Sequence, residues 1–146
     1  MPAGLEMKAY LTRRYMFSAS HRLHCDALSE SENVATYGKC NNPHGHGHNY
    51  FLEVTVSGQV DPRTGMVCNL VDIDEYVGRE VLERFDHANL NTLAEFQGEV
   101  PTTEVLSVKI YDILKQGFNA AHLEKVRIEE TMLNSFEYAG GGEVRV

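Results

Sequence analysis

The sequence predicts an α+β domain, an antiparallel sheet with two helices on one face. Two stretches of the N-terminal half alternate apolar and polar residues with the period of two that a half-buried strand requires. Between residues 72 and 117 the apolar spacing changes to that of amphipathic helices. The order β-β-β-α-α-β-β, with short connections, keeps strands and helices in blocks, as α+β domains do.

Ala9 to Leu23 opens as a strand, with Leu11, Tyr15, Phe17, Ala19, His21 and Leu23 mostly on one parity. Asp26 to Asn42 is polar and reads as irregular. Tyr50 to Ser57 is the next strand, its face formed by Tyr50, Leu52, Val54 and Val56. A Pro–Gly turn over Asp61 to Gly65 leads into an expected returning strand over Met66 to Val71. A helix then opens at Asp72 or Asp74 and runs to about Phe85, with Ile73, Tyr76, Val77, Val81 and Leu82 as its stripe. A second helix follows Pro101, with Thr102 or Thr103 as N-cap, Leu106, Ile110, Ile113 and Leu114 as its stripe, and Gly117 as its end. Lys125 to Leu133 and Ser135 to Ala139 are the last strands, joined tightly near Asn134. Residues 1–8 and 140–146 read as flexible tails of a single domain over 1–146.

A chain of 146 residues suffices for a core without staples. Three widely spaced cysteines, Cys25, Cys40 and Cys68, argue against a disulfide framework and for a reducing, cytoplasmic setting. No apolar stretch approaches the ~18–20 residues of a membrane span. No apolar segment opens the chain, so a secretory signal is not expected. A formal net charge of −8 without a basic cluster excludes nucleic acid and anionic membrane as partners by charge. An anionic substrate must therefore be held by a few local groups.

The chemistry concentrates in His21 and in the run C-N-N-P-H-G-H-G-H-N-Y over residues 40–50. His46 and His48 are two apart, so an extended backbone points both imidazoles to one face. They share the parity of Tyr50, Leu52 and Val54 and so extend the buried face of their strand. His21 ends a strand-like segment with matching parity. Three imidazole nitrogens with an open fourth position are the arrangement of a catalytic rather than a structural zinc.

Glu130 continues the inward parity of Val126 and Ile128. A carboxylate there is costly unless it is paired. It is therefore either released to water by a β-bulge or strand end, or kept as the polar anchor of a pocket, and the anchor is the favoured reading. A lone cysteine is ordinarily inert. Cys40 differs in lying close to the histidine run and beside Lys39, both of which favour a thiolate. Asp86 and His87, after the first helix, serve either as an acid–base pair or as helix-end capping. His24 and His122 have no supporting context and read as surface residues.

Taken together, these residues resemble the 6-pyruvoyltetrahydropterin synthase / 6-carboxytetrahydropterin synthase family of the tunnelling (T-fold) superfamily. The matching pieces are F-S-A-S-H-R-L (17–23), G-K-C-N-N-P-H-G-H-G-H-N-Y (38–50), V-D-P-R-T-G-M-V (60–67), L-E-R-F-D-H-A-N-L-N (82–91), P-T-T-E (101–104) and E-T (130–131). The resemblance implies an antiparallel four-stranded sheet with two helices on one face. It also implies trimers that close a barrel, homohexamers of stacked trimers, and active sites between subunits. His21, His46 and His48 become the zinc ligands, Cys40 the base, and Asp86 with His87 its proton-relay partners. Glu130 becomes the pterin anchor and a catalytic-site residue, with Thr102, Thr103 and Glu104 near the pterin. The implied substrate is 7,8-dihydroneopterin triphosphate, with Lys39, Arg22 and Arg13 as candidates for its triphosphate. His44 is an addition beside the ligand pair.

Two alternatives remain at this point. The carboxy-producing branch shares fold, zinc and substrate, but its cysteine usually sits closer to the histidine pair, whereas here five residues separate Cys40 from His46. A non-catalytic zinc module would instead close the metal shell with a fourth protein ligand such as Cys40 or Cys25.

Overall fold

The computed structural model describes residues 6–146. Residues 1–5 of the expected N-terminal tail lie outside them. Met7 and Lys8 are not tail: the Val60 amide donates to the Met7 carbonyl at 2.8 Å, and strand β1 is Lys8–His21. The chain continues as helix α1 (Glu30–Tyr37), a 3₁₀ turn at Gly38–Asn41 and strand β2 (His46–Gln59). Helix α2 (Leu70–Val77) passes through a π-turn at Gly78–Leu82 into α3 (Glu83–Phe85). Strand β3 (Ala88–Asn89), helix α4 (Thr103–Gly117) and strands β4 (His122–Thr131), β5 (Asn134–Tyr138) and β6 (Val144–Arg145) complete it.

The single sheet has six strands in the order β3-β1-β2-β4-β5-β6, rather than four. The four long strands are the expected antiparallel set. The two additions are short: β3 pairs parallel with β1, and β6 pairs with Glu137 and Tyr138 of β5. The C-terminal segment is thus tied to the sheet through Val144 and Arg145. The reason is a run of three glycines, Gly140 to Gly142, all at positive φ, which turn the chain back on itself.

Alternation along β1 and β2 buries Phe17, Ala19, His21, Tyr50, Leu52, Val54 and Val56, while Tyr10 and Met16 face out. Onto that face α2, α3 and α4 bring Ile73, Val77, Val81, Phe85, Leu106, Ile110 and Leu114, forming one core. The α4 boundaries are as expected, with the Thr102 hydroxyl accepting from the Val105 amide at 3.2 Å.

Two further expectations fail, both about single elements. Met66 to Val71 is not a strand: the Asn69 side chain accepts from the Val71 amide at 2.9 Å and caps α2, which begins at Leu70. Asn69, rather than Asp72 or Asp74, opens the helix because its short carbonyl satisfies a first-turn N–H. Nor is 26–42 wholly irregular, since it contains α1. Ser29 accepts from the Glu32 amide, and the Glu32 side chain accepts from the Ser29 amide, a reciprocal capping box.

Candidate metal centre

The β1–β2 register sets His21 opposite His46 and Ala19 opposite His48, so the three imidazoles gather at the end of the buried face. Their ring centroids lie 4.6, 4.8 and 5.1 Å apart. One nitrogen from each lies within 4.8 Å of the others. The chain enters β2 through Gly45 at φ 74°, where a Cβ would stand 3.1 Å from the His21 carbonyl oxygen, so both backbone and space require glycine there.

His21 is 1% exposed. Its Nδ1 lies 2.8 Å from the Pro101 carbonyl, which can only accept, so Nδ1 carries the proton and Nε2 the free lone pair. That Nε2 faces His46 Nε2 at 3.0 Å. His46 Nδ1 and His48 Nε2 are buried without any hydrogen-bond partner. Burial holds His21 and His48 below the ordinary histidine pKa, and the neighbouring imidazoles push the same way. The three rings thus bring nitrogens within ligating distance of one another, and buried imidazole nitrogens left without a partner cost free energy that a bound cation can offset. A zinc-type ion fits this donor set. Among the described residues no cysteine joins the group, so the closed shell that a non-catalytic zinc module needs is not formed by Cys25 or Cys40.

Glu130 reaches this centre from β4. The β4–β5 register shifts between Glu129 and Thr131, leaving Glu130 unpaired in a bulge. The strand irregularity that the sequence allowed is therefore present at Glu130. The Thr103 hydroxyl donates to the Glu130 carboxylate, whose charge acts on His21, Cys40, His48 and Tyr50. Thr102 caps α4 one residue earlier, and Glu104 is exposed in the first turn.

Cys40 lies half-buried in the 3₁₀ turn, its carbonyl accepting from the Leu23 amide at 2.8 Å. The expected bias toward thiolate is reversed in the chain alone. Burial, and then the Glu130 carboxylate, push the thiol upward. Lys39 is exposed and lines a surface cleft with Arg22 instead of offsetting Glu130. Arg13 is not brought to this region: its Nε and guanidinium nitrogen donate to Asp74 at 2.9 and 2.8 Å.

Asp86 and His87 lie against the edge of β1 that β3 pairs with. The Ser18 amide donates to Asp86 Oδ1 at 2.8 Å, and the His87 amide donates to the Ser18 carbonyl at 2.6 Å. His87, at φ 60°, has a side chain 84% exposed, with Nε2 3.6 Å from Asp86 Oδ2. It lines a cleft with Ser18, Ala19, Ser20, Gly47, His48 and Asn49. Among the described residues no hydrogen bond or ion pair joins Asp86 or His87 to Cys40. His44 is exposed and outside the three-histidine group.

His122 is exposed, as expected. His24 is not a free surface residue: its Nδ1 accepts from the Asn41 side chain at 2.9 Å. Sequence reasoning also missed Pro101 as the acceptor for His21, and Tyr50, whose hydroxyl lies 3.5 Å from His21 Nδ1. For Tyr50 the signal was its place two residues after His48 on the same face. A backbone carbonyl such as that of Pro101 leaves no signal.

Fold and site together define an α+β domain with a three-histidine, metal-type centre. A family model described as 6-pyruvoyl tetrahydropterin synthase matches residues 10–141. A human protein named 6-pyruvoyl tetrahydrobiopterin synthase is 45% identical over 138 residues, 94% of this chain and 95% of its own length. A putative 6-carboxy-5,6,7,8-tetrahydropterin synthase of Archaeoglobus fulgidus is 33% identical over 105 residues, 71% of this chain and 82% of its own length. The solved structure of Caenorhabditis elegans 6-pyruvoyl tetrahydropterin synthase superposes with a TM-score of 0.86 at 42% identity, covering 92% of this chain and 97% of that one. This chain belongs to the 6-pyruvoyl tetrahydropterin synthase family, and it is an enzyme of the lyase class.

Proposed function

We propose that this protein is a zinc-dependent carbon–oxygen lyase that converts 7,8-dihydroneopterin triphosphate to 6-pyruvoyltetrahydropterin with loss of triphosphate. The observation that carries the reading is the pair of partnerless buried nitrogens, His46 Nδ1 and His48 Nε2, beside His21 and within reach of Glu130. The pyruvoyl rather than the carboxy product is supported by relatives of that name at 45–46% identity, against 33% for the carboxy-type relative.

His21, His46 and His48 would hold the zinc, which when bound supplies Lewis acidity toward the substrate's side-chain hydroxyls. The Glu130 carboxylate accepts the N–H groups of the pterin's guanidine-like edge, and Thr103 orients that carboxylate. Thr102 and Glu104 flank the same ring at the start of α4. Cys40 Sγ takes a proton from the side chain and returns one to the ring, so the redox change stays internal and needs no nicotinamide or flavin. Arg22 and Lys39 hold the triphosphate from their shared cleft.

Asp86 and His87 serve the Cys40 of a neighbouring subunit. Their place on the β1 edge, without a hydrogen bond or ion pair to their own Cys40 among the described residues, supports a homohexamer of barrel-closing trimers with sites between chains. Three unpaired cysteines, Cys25, Cys40 and Cys68, support a cytoplasmic location. Among the described residues no helix is long and apolar enough to cross a membrane.

The test is to incubate zinc-loaded protein with 7,8-dihydroneopterin triphosphate and identify products by mass spectrometry. The pyruvoyl product with free triphosphate is expected. Carboxy product with acetaldehyde would move the protein to the carboxy branch, and no turnover despite bound zinc would overturn the enzymatic reading.

A further inference from the structure

The segment after the metal ligand His21 is zipped onto the turn that carries Cys40. The Leu23 amide donates to the Cys40 carbonyl at 2.8 Å. The next residue, Asn41, is buried, and its side-chain nitrogen donates twice, to the Leu23 carbonyl at 2.8 Å and to His24 Nδ1 at 2.9 Å. The Asn41 carbonyl accepts from Arg22 Nε at 3.1 Å. Arg22, Leu23 and His24, directly following His21, thus each hold the Cys40–Asn41 turn.

We propose that Asn41 is a positioning residue that holds the Cys40 turn at a fixed distance from His21 and so sets where the thiol meets the substrate. This rests on the reading of Cys40 as the proton-transfer group. The turn has weak means of holding itself, because four residues of 3₁₀ helix supply few and poorly aligned hydrogen bonds. Its order comes from the side, and the Asn41 amide is the group that meets two acceptors at once. An acceptor-only side chain of the same size would leave the Leu23 carbonyl without its donor and could keep the His24 contact only by moving a proton onto His24 Nδ1. Proton transfer is steeply sensitive to such displacement, since a shift of about 1 Å can cost about a hundredfold in rate.

The experiment compares zinc-loaded wild type, Asn41→Asp, His24→Ala and Cys40→Ala. Asn41→Asp keeps the size and removes both donors. Its kcat is expected to fall about ten- to a hundredfold with KM and metal content unchanged. Iodoacetamide labelling, read for each cysteine by mass spectrometry, is expected to change severalfold at Cys40 relative to Cys25 and Cys68 in the same molecule. His24→Ala leaves the Leu23 bond and is expected to show the same pattern at smaller size. A general loosening, with all three cysteines more reactive and metal lost, would make Asn41 a structural residue and overturn the proposal. Wild-type kcat in Asn41→Asp with an inactive Cys40→Ala would overturn the role of Asn41 alone. Full turnover in Cys40→Ala would instead overturn the role of Cys40 on which it rests.

Discussion

Strand β1 carries two polar clusters on its inward face, eight residues and so about 26 Å apart, and they are built on opposite principles. At Arg13 the charges are paired. The guanidinium makes two hydrogen bonds to Asp74, and the Tyr15 hydroxyl donates to the same carboxylate at 2.7 Å. That cluster ties α2 to the sheet. At His21 the cluster is left unfinished, with buried nitrogens of His46 and His48 facing no partner. Polar residues on a buried face thus separate by satisfaction: a matched set fastens the fold, whereas an unmatched set of neutral donors defines a place for something not part of the chain.

Mutation should widen the difference. His48→Ala is expected to remove bound metal and lower turnover by at least about a hundredfold, measured as metal stoichiometry and product formation. Retained metal at full occupancy would show that the three-histidine group is not the site. Cys40→Ala is expected to abolish turnover while metal content and assembly stay, as read by elemental analysis and light scattering. Glu130→Gln is expected to weaken pterin binding about tenfold without changing metal content, as followed by ligand fluorescence, because a charged acceptor becomes neutral. Unchanged affinity would reduce Glu130 to a bulge residue.

Acid should address the two clusters in separate windows. His21 and His48 titrate below 6.5 in the fold, so the folded metal-free chain binds fewer protons there than the unfolded one. Its stability is therefore full above 6.5 and falls as the pH drops below that value, with metal released in the same window. Asp74 is held below its usual 3.8, chiefly by its hydrogen bonds from Arg13. Its contribution is full above 3.8 and is lost as the pH falls through the folded-state value. Thermal melts across pH, with and without zinc, check both signs. The smallest effect expected is that of Asp74→Asn, a drop of a few degrees in Tm with turnover unchanged, since the pair is substantially exposed.

The legible parts of the sequence were those set by local period or local chemistry. The parity of His46 and His48 with Tyr50, the cap at Thr102 and the end of α4 at Gly117 could all be read from neighbours. Helix α1 was legible too, since Ser29 and Glu32 form its capping box, but its polar face hid it. Met66 to Val71 misled because an apolar run without a partner strand is no strand. Both edges of β2 are already taken, by β1 and β4, and Asn69 begins a helix instead.

By itself the sequence determined which residues face inward and which side chains have the chemistry of a metal site, because side-chain direction along a strand follows from the backbone alone. Only the tertiary structure decided that Pro101 selects the His21 tautomer from 80 residues away, that Glu130 sits at a bulge where Thr103 donates to it, and that Arg13 pairs with Asp74. It also placed Asp86 and His87 beside Ser18 on the side of β1 away from β2, with His87 exposed. Those outcomes depend on which strands and helices meet. That is settled by burying one common core, and no short stretch of sequence records it.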